Sequence, residues 1–390
     1  MQSLKSTALE PTRAELAAMT RGEAARRLLP VYGLPILTVA LIVFFSVLLP
    51  DTFPTMLNLR SILSDKAIIA MLSLAAMLPM MAGRIDLTVG YGIVLWHILA
   101  ISLQVNYGVP WWLACLAVLV AGAAMGLING LLVEVAQIDS FIATLGTGTI
   151  LYALALWHTG GQQVVGALPL AFLDINGRFV LGLPITTFYV LALALVLWVV
   201  TEHLPLGRQL YAVGASPKVA ALNGIAVRRT IITVFIASST LSAFAGIVLA
   251  SKLRIGQASV GLEYLLPALV GAFLGSTTIR PGRVNVWGTL VGVLILAVGI
   301  SGIQQLGGSF FVEPLFNGVT LVIAIGLAGY AQRRGAGVRR AGAVPQAVSI
   351  STGATGTDLS NIGPTDTGQT NTGQTITSQT ITGETIGRTE

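Results

Sequence analysis

Residues 204–229, LPLGRQLYAVGASPKVAALNGIAVRR, form the longest polar and basic interruption between two strongly apolar runs of this chain. Ser216 can cap a first helical turn, and Pro217 suits the first helical position, where no backbone N–H is needed. Gly224 can take the left-handed conformation that commonly ends a helix. The stretch therefore predicts a short helix, marked at both ends, inside a basic loop.

This short helix carries residues that are typical of a contact surface. Val219 and Leu222 are three residues apart and fall on one face, beside the small side chains of Ala220 and Ala221. Such a surface suits a helix that is pressed against another protein. On local grounds alone, an ordinary loop between two membrane helices explains the same residues equally well.

The composition places most of the chain in a lipid bilayer. Of its 390 residues, 54% are hydrophobic and only 10% are charged, and the mean hydropathy is +0.82. A soluble domain carries about 25% charged residues, whereas this chain has many apolar runs of about 20 residues, the length of a membrane-spanning helix. The single cysteine, Cys115, excludes an intramolecular disulfide and a cysteine-based zinc site.

The apolar runs predict an all-α polytopic membrane protein with about ten transmembrane helices, and the polar 204–229 loop adds one short helix outside the membrane. The second segment contains Pro79 and the eighth contains Glu263 and Pro267, so these two are the least regular. The apolar transmembrane domain spans residues 30–330. Its predicted segments are residues 30–49, 67–83, 87–104, 109–133, 141–158, 184–203, 230–250, 261–279, 286–303 and 312–330.

Positive charge decides the predicted orientation. An even number of segments puts both termini on one side, and 17 of the 22 Lys and Arg residues then fall on the side of the termini. Because basic residues accumulate in cytoplasmic loops, both termini and the 204–229 loop are predicted to be cytoplasmic. The same rule explains the net charge of +6 without nucleic acid as a partner.

The two ends differ from the apolar body. Residues 1–29 are polar and contain several arginines, which predicts a cytoplasmic amino-terminal segment rather than a cleaved signal peptide. Residues 331–390 are first basic and then rich in Thr and Gly, with near-repeats such as TGQTNTGQTITSQTITGETIG. Such a composition buries too little apolar surface to fold, so we expect a disordered cytoplasmic tail.

Several chemistries lack the residues they need. The chain contains no GxxxxGK[ST] motif to hold ATP phosphates and no HExxH metal motif, and its three histidines are scattered singly. We therefore expect no catalytic residues, no metal site and no cofactor bound by this chain. Ser309 formally matches the GxSx pattern of intramembrane serine proteases, but no histidine is placed by the sequence to activate it.

Polar residues within or beside the apolar runs are candidates for a translocation pathway. They are Asp86 in GRIDLTVG (83–90), Asn129 in a glycine-rich segment, Thr144 and, in an outer loop, Gln162. Polar groups at membrane depth are tolerated where they are buried in protein or line a water-filled cavity. Alternatively, Asp86 simply pairs with Arg84 at the membrane surface. Because most candidates are neutral, they favour an uncharged polar solute and an energy source outside this chain.

Three glycines in this region, Gly122, Gly126 and Gly130, recur at a spacing of four residues. Such a stripe of small residues lets another helix approach closely. Close helix packing is therefore the preferred interpretation of the glycines, while Asn129 remains a pathway candidate.

Taken together, the motifs resemble the permease subunits of bacterial ABC importers for ribose, xylose, fructose and similar monosaccharides. The resemblance covers residues 35–330, in order, while both ends lie outside it. The residues that carry it are GRIDLTVG (83–90), GLINGLLV (126–133), FIATLGT (141–147), HTGGQ (158–162), YAVGASPKVAALNGI (211–225), GIVLASKL (246–253), VWGTLVGVL (286–294) and FNGVTLVIAIGLA (316–328).

The resemblance implies a ten-helix subunit of the vitamin-B12-permease type, paired with a second permease copy around one central pathway. It also implies two cytoplasmic ABC ATPase subunits, which hold ATP and Mg²⁺, and an extracytoplasmic sugar-binding protein that delivers the solute. The chain would then lie in the bacterial inner membrane as a transport subunit, not as an enzyme. A departure is Arg84, which replaces the usual glycine before Ile-Asp and leaves the exact sugar open.

The resemblance also implies that the 204–229 loop contains the coupling helix that docks on the ATPase. The residues expected to make this contact are Ser216, Pro217, Lys218, Ala220, Ala221, Leu222 and Gly224. Competing hypotheses are a permease of the related branched-chain amino-acid or nucleoside importers, a self-contained secondary transporter and a membrane enzyme. The scarcity of acidic residues within the membrane segments argues against the secondary transporter.

Overall fold

The structure is a computed structural model that describes residues 21–308, 311–323 and 326. The described chain is almost entirely helical, which confirms the predicted all-α class. The helices are α1 (Arg21–Leu48), α2 (Met56–Asp65), α3 (Ala67–Met81), α4 (Thr88–Val105), α5 (Trp111–Glu134), α6 (Ser140–Thr159), α7 (Leu170–Gly177), α8 (Ile185–Trp198), α9 (Pro205–Ala215), α10 (Pro217–Leu222), α11 (Val227–Leu253), α12 (Leu265–Leu274), α13 (Val286–Gln305) and α14 (Val312–Ile323). The remaining elements are a π-helical turn at Val199–His203, a 3₁₀ turn at Leu262–Tyr264 and two short strands, β1 (Phe179–Val180) and β2 (Leu183–Pro184).

Seven helical segments of the described chain are long and apolar enough to cross a membrane. They are Met56–Met81, Thr88–Val105, Trp111–Glu134, Ser140–Thr159, Ile185–His203, Val227–Leu253 and Val286–Gln305. Three shorter apolar helices, Tyr32–Leu48, Leu262–Leu274 and Val312–Ile323, coincide with the first, eighth and tenth predicted segments. Ten spans therefore stay a prediction, in which seven helices meet the length requirement and three fall short of it.

Helix α3 lies at the centre of the bundle. Fourteen of its fifteen residues are buried, so the helix is covered by protein on every side rather than on one stripe. It packs against α11, α12 and α13, while α4 and α5 pack on other faces of α11. Pro79 lies in the last turn of α3, where the helix is about to end, so it does not interrupt the membrane segment.

The glycine stripe of α5 packs directly against α11. A Cβ on Gly126 would stand 2.4 Å from the carbonyl oxygen of Phe235, and one on Gly122 would stand 2.5 Å from the Cβ of Ala243. At Gly130 the nearest atom would be the Cα of Ile232, at 2.9 Å. No side chain fits at such distances, so the predicted close packing of these glycines is confirmed.

The region between α6 and α8 contains secondary structure that was not predicted from the sequence. It contains helix α7 and a hairpin in which Phe179 pairs with Pro184 across the two-residue turn of Leu181 and Gly182. Arg60 on α2 holds this turn, because its Nε donates to the carbonyl oxygen of Gly182 at 2.6 Å. Both turn residues have positive φ, which is the backbone pattern of a tight hairpin.

The ion pairs of the described chain link distant parts of the sequence. Lys66 bonds Glu313 at 2.8 Å, Lys252 bonds Asp65 at 2.7 Å, Arg84 bonds Glu134 at 3.0 Å, and Arg280 pairs with Glu202. In each pair both residues lie on the same side of the membrane in the ten-segment topology. Helix α1 begins at Arg21, earlier than the predicted start at residue 30. Residues 1–20, the larger part of the predicted amino-terminal segment, and residues 327–390, which include the whole predicted carboxy-terminal tail, lie outside the described residues.

Candidate functional site

The docking segment, residues 204–229, folds as two consecutive helices. The first, α9, was not predicted, although Pro205 at its first position and the spacing of Leu206, Leu210 and Val213 are helix signals. Leu210 and Val213 are buried against the bundle. The second helix, α10, begins and ends where the sequence predicted.

Both ends of α10 are closed by local hydrogen bonds. At the start, the Oγ of Ser216 accepts from the N–H of Val219 at 3.4 Å, and Pro217 occupies the first helical position. At the end, Gly224 has φ of 79° and its N–H donates to Ala221, while the N–H of Ile225 donates to Ala220 at 3.1 Å. These two bonds are the Schellman pattern, so the predicted glycine stop is confirmed.

The predicted docking residues divide between two faces of α10. Ala220 is 3% exposed and packs inward against the bundle, whereas Leu222 is 88% exposed and Val219 is 56% exposed. Pro217, Lys218, Ala221 and Gly224 are also exposed, and Ser216 is half-buried. A partner can therefore touch most of the predicted set, but Ala220 anchors the helix to its own chain.

Within the docking segment, helix α9 packs against the end of α3. A Cβ on Gly214 would stand 2.2 Å from the carbonyl oxygen of Met81, so only glycine permits this contact. On the other side, Tyr211 lies with its hydroxyl 3.1 Å from the carbonyl oxygen of Val284 and 3.4 Å from a carboxylate oxygen of Glu202. The docking segment is therefore fixed to several membrane helices at once.

The Tyr211 side chain is held in its neutral form. Burial of the phenol, together with the nearby Glu202 carboxylate, raises the pKa of Tyr211 to about 12. The Arg283 guanidinium lies 5.5 Å above the same ring. At neutral pH the hydroxyl is therefore a donor that links α9 to the chain just before α13.

A buried polar network begins at Asp86, five residues beyond Met81, where Gly214 contacts the end of α3. The Asp86 carboxylate is 1% exposed; one oxygen accepts from the backbone N–H of Thr88 at 3.0 Å and from its hydroxyl, and the other accepts from Ser238 at 2.9 Å. The alternative pairing with Arg84 is wrong, because Arg84 turns to Glu134. Hydroxyl and amide donors, rather than a cation, thus satisfy Asp86.

Asn129 extends this network to a third helix. Its amide nitrogen donates to the hydroxyl oxygen of Thr88 at 3.1 Å, and its amide oxygen accepts from the hydroxyl of Thr147 at 2.8 Å. Asn129 is 0% exposed. A chain of hydrogen bonds therefore joins the break before α4 to α5, α6 and α11.

Thr144 supports the broken backbone itself. Its hydroxyl oxygen accepts from the N–H of Leu87 at 3.1 Å, and Ser140 accepts from the N–H of Ile85 at 3.2 Å. These are backbone groups that the irregular segment between α3 and α4 leaves without helical partners. Thr144 is fully buried, so its first role is to hold this segment in place.

The structure brings together three of the four predicted pathway residues. Asp86 and Asn129 share one side-chain network and Thr144 bonds the backbone next to Asp86, whereas Gln162 is exposed in the loop after α6. Three further residues complete the network and were not predicted from the sequence: Thr88, Ser238 and Thr147. Hydroxyl residues at membrane depth were the available signal, but they are common in such helices and usually bond their own backbone.

Two of the three histidines, His97 and His158, have hydrogen-bond partners within the chain. The Nδ1 of His97 lies 2.9 Å from the carbonyl oxygen of Ile93, and the Nε2 of His158 lies 2.7 Å from the hydroxyl of Ser102. In the part of the chain that the structure describes, no group of three His, Cys, Asp or Glu residues could hold a metal ion. Ser309, the formal protease candidate, lies outside the described residues.

Comparisons with known proteins identify the family. Residues 58–328 match the family described as "Branched-chain amino acid transport system / permease component". The chain is similar to the ribose import permease protein RbsC of Bacillus subtilis (strain 168), with 34% identity over 292 residues, which are 75% of this chain and 90% of that protein. No solved structure matches.

Two further relatives have similar coverage. The ribose import permease protein RbsC of Haemophilus influenzae is 29% identical over 290 residues, which cover 74% of this chain and 89% of that protein. The autoinducer 2 import system permease protein LsrD of Escherichia coli (strain K12) is 31% identical over 302 residues, which cover 75% and 91%. With a family match across most of the helical bundle, the chain belongs to this family of transport permease components and is a multi-pass protein of the inner membrane.

Proposed function

We propose that this chain is the membrane-spanning permease subunit of an ATP-driven ABC importer that translocates a monosaccharide or related polyol. The observation that carries the proposal is α10, a capped helix that presents Leu222 and Val219 away from its own chain. Large apolar side chains exposed on a basic, loop-borne helix are typical of a protein contact. The partner we assign to this surface is a cytoplasmic ABC ATPase, which holds ATP and Mg²⁺ in place of this chain.

The orientation supports this assignment. Four ion pairs join residues that the ten-segment topology places on a common side, which agrees with an even number of crossings between Lys66 and Glu313. The excess of Lys and Arg on the side of 204–229 then favours the cytoplasm for the docking segment and for both termini. The opposite side would receive solute from an extracytoplasmic sugar-binding protein.

A second permease copy would complete the pathway. Outward-facing apolar side chains on α5 and α6, such as Leu116, Val120 and Ile150, leave surface for lipid and for a partner subunit. The bundle itself is filled at its centre by α3, so it leaves no axial channel along that helix. A pathway between two copies is consistent with this packing.

Asp86, Asn129 and Thr144 would then act as a gate rather than as a solute-binding surface. All three are at most 1% exposed, so they do not reach solvent in this conformation. They hold the irregular segment between α3 and α4. Gly214 of the docking segment contacts Met81, at the start of this irregular segment. A movement of α10 would therefore shift α9, and α9 would in turn displace the irregular segment. Gln162, exposed in the outer loop, would lie near the entrance.

The alternative to a sugar substrate is a branched-chain amino acid. The family description names branched-chain amino acids, whereas relatives that cover three quarters of this chain are named for ribose and autoinducer 2. Uptake of labelled D-ribose, D-xylose, D-fructose and L-leucine separates the two classes directly.

The energy source is tested in membrane vesicles that contain the permease, its ATPase and its binding protein. We expect sugar uptake to survive loss of the proton gradient and to stop when the phosphate-binding lysine of the ATPase is replaced. Uptake that stops with the proton gradient and ignores the ATPase would instead identify a secondary transporter. The permease level, measured by immunoblotting, serves as the control in each case.

A further inference from the structure

A cavity of about 550 Å³ opens at the end of the bundle opposite to the docking segment. It lies among α2, α3, α11, α12, α13 and α14, at their predicted outer ends. Pockets that hold small molecules usually measure about 300–1,000 Å³. The cavity is therefore large enough for a single sugar ring with its hydroxyl groups, and it lies within one permease subunit.

The charged groups of the wall largely neutralise one another. Lys66 pairs with Glu313 at 2.8 Å, and Lys252 pairs with Asp65 at 2.7 Å. The remaining acid, Glu263, accepts from the backbone N–H of Gly261 at 2.8 Å. Both lysines are thus already paired, so a free anion would have to separate these pairs, whereas an uncharged ligand can bond to their remaining donors and acceptors.

Neutral polar groups complete the wall. Gln304 contributes an amide, whose nitrogen lies 3.3 Å from Glu313, and Tyr264 adds an aromatic ring. Asn317 is 4% exposed, and its amide oxygen has no hydrogen-bond partner among the described residues. A buried acceptor without a partner costs roughly 1–3 kcal/mol. A ligand hydroxyl that reaches this region after a small movement of the amide would remove that cost.

We propose that this cavity is an entry site for the solute, an uncharged polyhydroxylated molecule, before it moves between the two permease copies. The assignment rests on the proposed function for its solute class. Dense, alternating donors and acceptors match the hydroxyls of a sugar, and the Tyr264 ring offers an apolar surface for its C–H groups. The ion pairs tie α2 to α11 and α14, so occupancy would be sensed by three helices together.

The experiment uses the complete transporter in lipid nanodiscs without the binding protein. Because Cys115 is the only cysteine of the chain, a Cys115→Ser background allows one thiol to be placed at will. Gln304→Cys reports on the cavity wall, and Tyr107→Cys is a matched control that is exposed on the same predicted side. Each thiol is labelled with a membrane-impermeant maleimide, with and without D-ribose, D-xylose or D-fructose.

We expect sugar to protect the thiol at position 304 and to leave position 107 unchanged. At about ten times its Kd the sugar leaves roughly a tenth of the sites free, so labelling should slow about tenfold. Asn317→Leu in the same background should raise the sugar concentration needed for protection. Normal uptake with no protection at position 304, or equal protection at both positions, would overturn the entry site while leaving the proposed function intact. Protection in a transporter that takes up no sugar would instead overturn the proposed function alone.

Discussion

Gly214, in the last turn of α9, lies so close to Met81 that a Cβ on the glycine would stand 2.2 Å from the Met81 carbonyl oxygen. Met81 is the last residue of α3, and the irregular segment that holds Asp86 follows it. Gly214 is three residues before Pro217, where α10 begins, with only Ala215 and Ser216 in between. The docking segment and the buried polar network are thus joined by one backbone contact.

We predict that Gly214→Ala weakens the coupling of ATP hydrolysis to transport. The added methyl group must push α9 away from α3, because its nearest neighbour is a backbone oxygen that cannot rotate aside. Solute uptake per ATP hydrolysed should fall in vesicles that contain the full transporter. Gly146→Ala is the matched control, since no atom lies within 4 Å of a Cβ at that helical glycine. Equal coupling ratios in the two variants would refute a transmitting role for this contact.

The sequence could predict features that depend on neighbouring residues. The caps of α10 at Ser216 and Gly224 are local, and the four-residue spacing of the α5 glycines is itself the geometry of a packing face. Arg84 pairs with Glu134, which is 50 positions away and is brought near by the packing of α5. The sequence alone suggested the neighbouring Asp86 as its partner, and that suggestion was wrong. In a helix of six residues the pattern is also too short to decide that Ala220 faces inward.

We predict that arginine at the two adjacent alanines of α10 causes two different defects, a loss of coupling at one position and a loss of stability at the other. Ala221→Arg should leave the protein abundant in the membrane but uncoupled, because the new side chain projects from an exposed face toward the ATPase. Ala220→Arg should lower abundance and thermal stability, because a buried cation without a partner is strongly unfavourable. Immunoblotting and co-purification of the ATPase distinguish the two effects. If Ala221→Arg binds the ATPase normally and transports normally, α10 is not the docking helix.

We predict that Asp86→Asn destabilises the transporter. The carboxylate accepts from Thr88 and Ser238 through both oxygens, whereas an asparagine presents one oxygen and a nitrogen that turns a donor toward one of them. The loss should amount to about 1–3 kcal/mol, the cost of leaving a buried polar group poorly paired. Thermal unfolding of the purified protein in detergent measures it. Asp174→Asn on the exposed face of α7 should change the melting temperature little.

A result in which both aspartate variants melt like the parent protein would show that the Asp86 network contributes little to stability. Ser238→Ala offers a further comparison, because it removes one donor and leaves the carboxylate bonded to Thr88. Its effect should be smaller than that of Asp86→Asn. Uptake measured at equal protein levels then reports on the gate separately from the fold.

We predict that Tyr211→Phe changes how stability depends on alkaline pH. Burial and the Glu202 carboxylate raise the pKa of Tyr211 to about 12 in the folded protein, from its usual value of 10.0. Between these values an unfolded tyrosine loses its proton while the folded one keeps it, so the parent protein loses stability as pH rises. Below pH 10 the parent should be more stable than the phenylalanine variant by about 1 kcal/mol, through the bond to Val284. This advantage should shrink between pH 10 and 12, as measured by the difference between the two melting temperatures. A difference that stays constant across this range would show that Tyr211 does not titrate with a raised pKa.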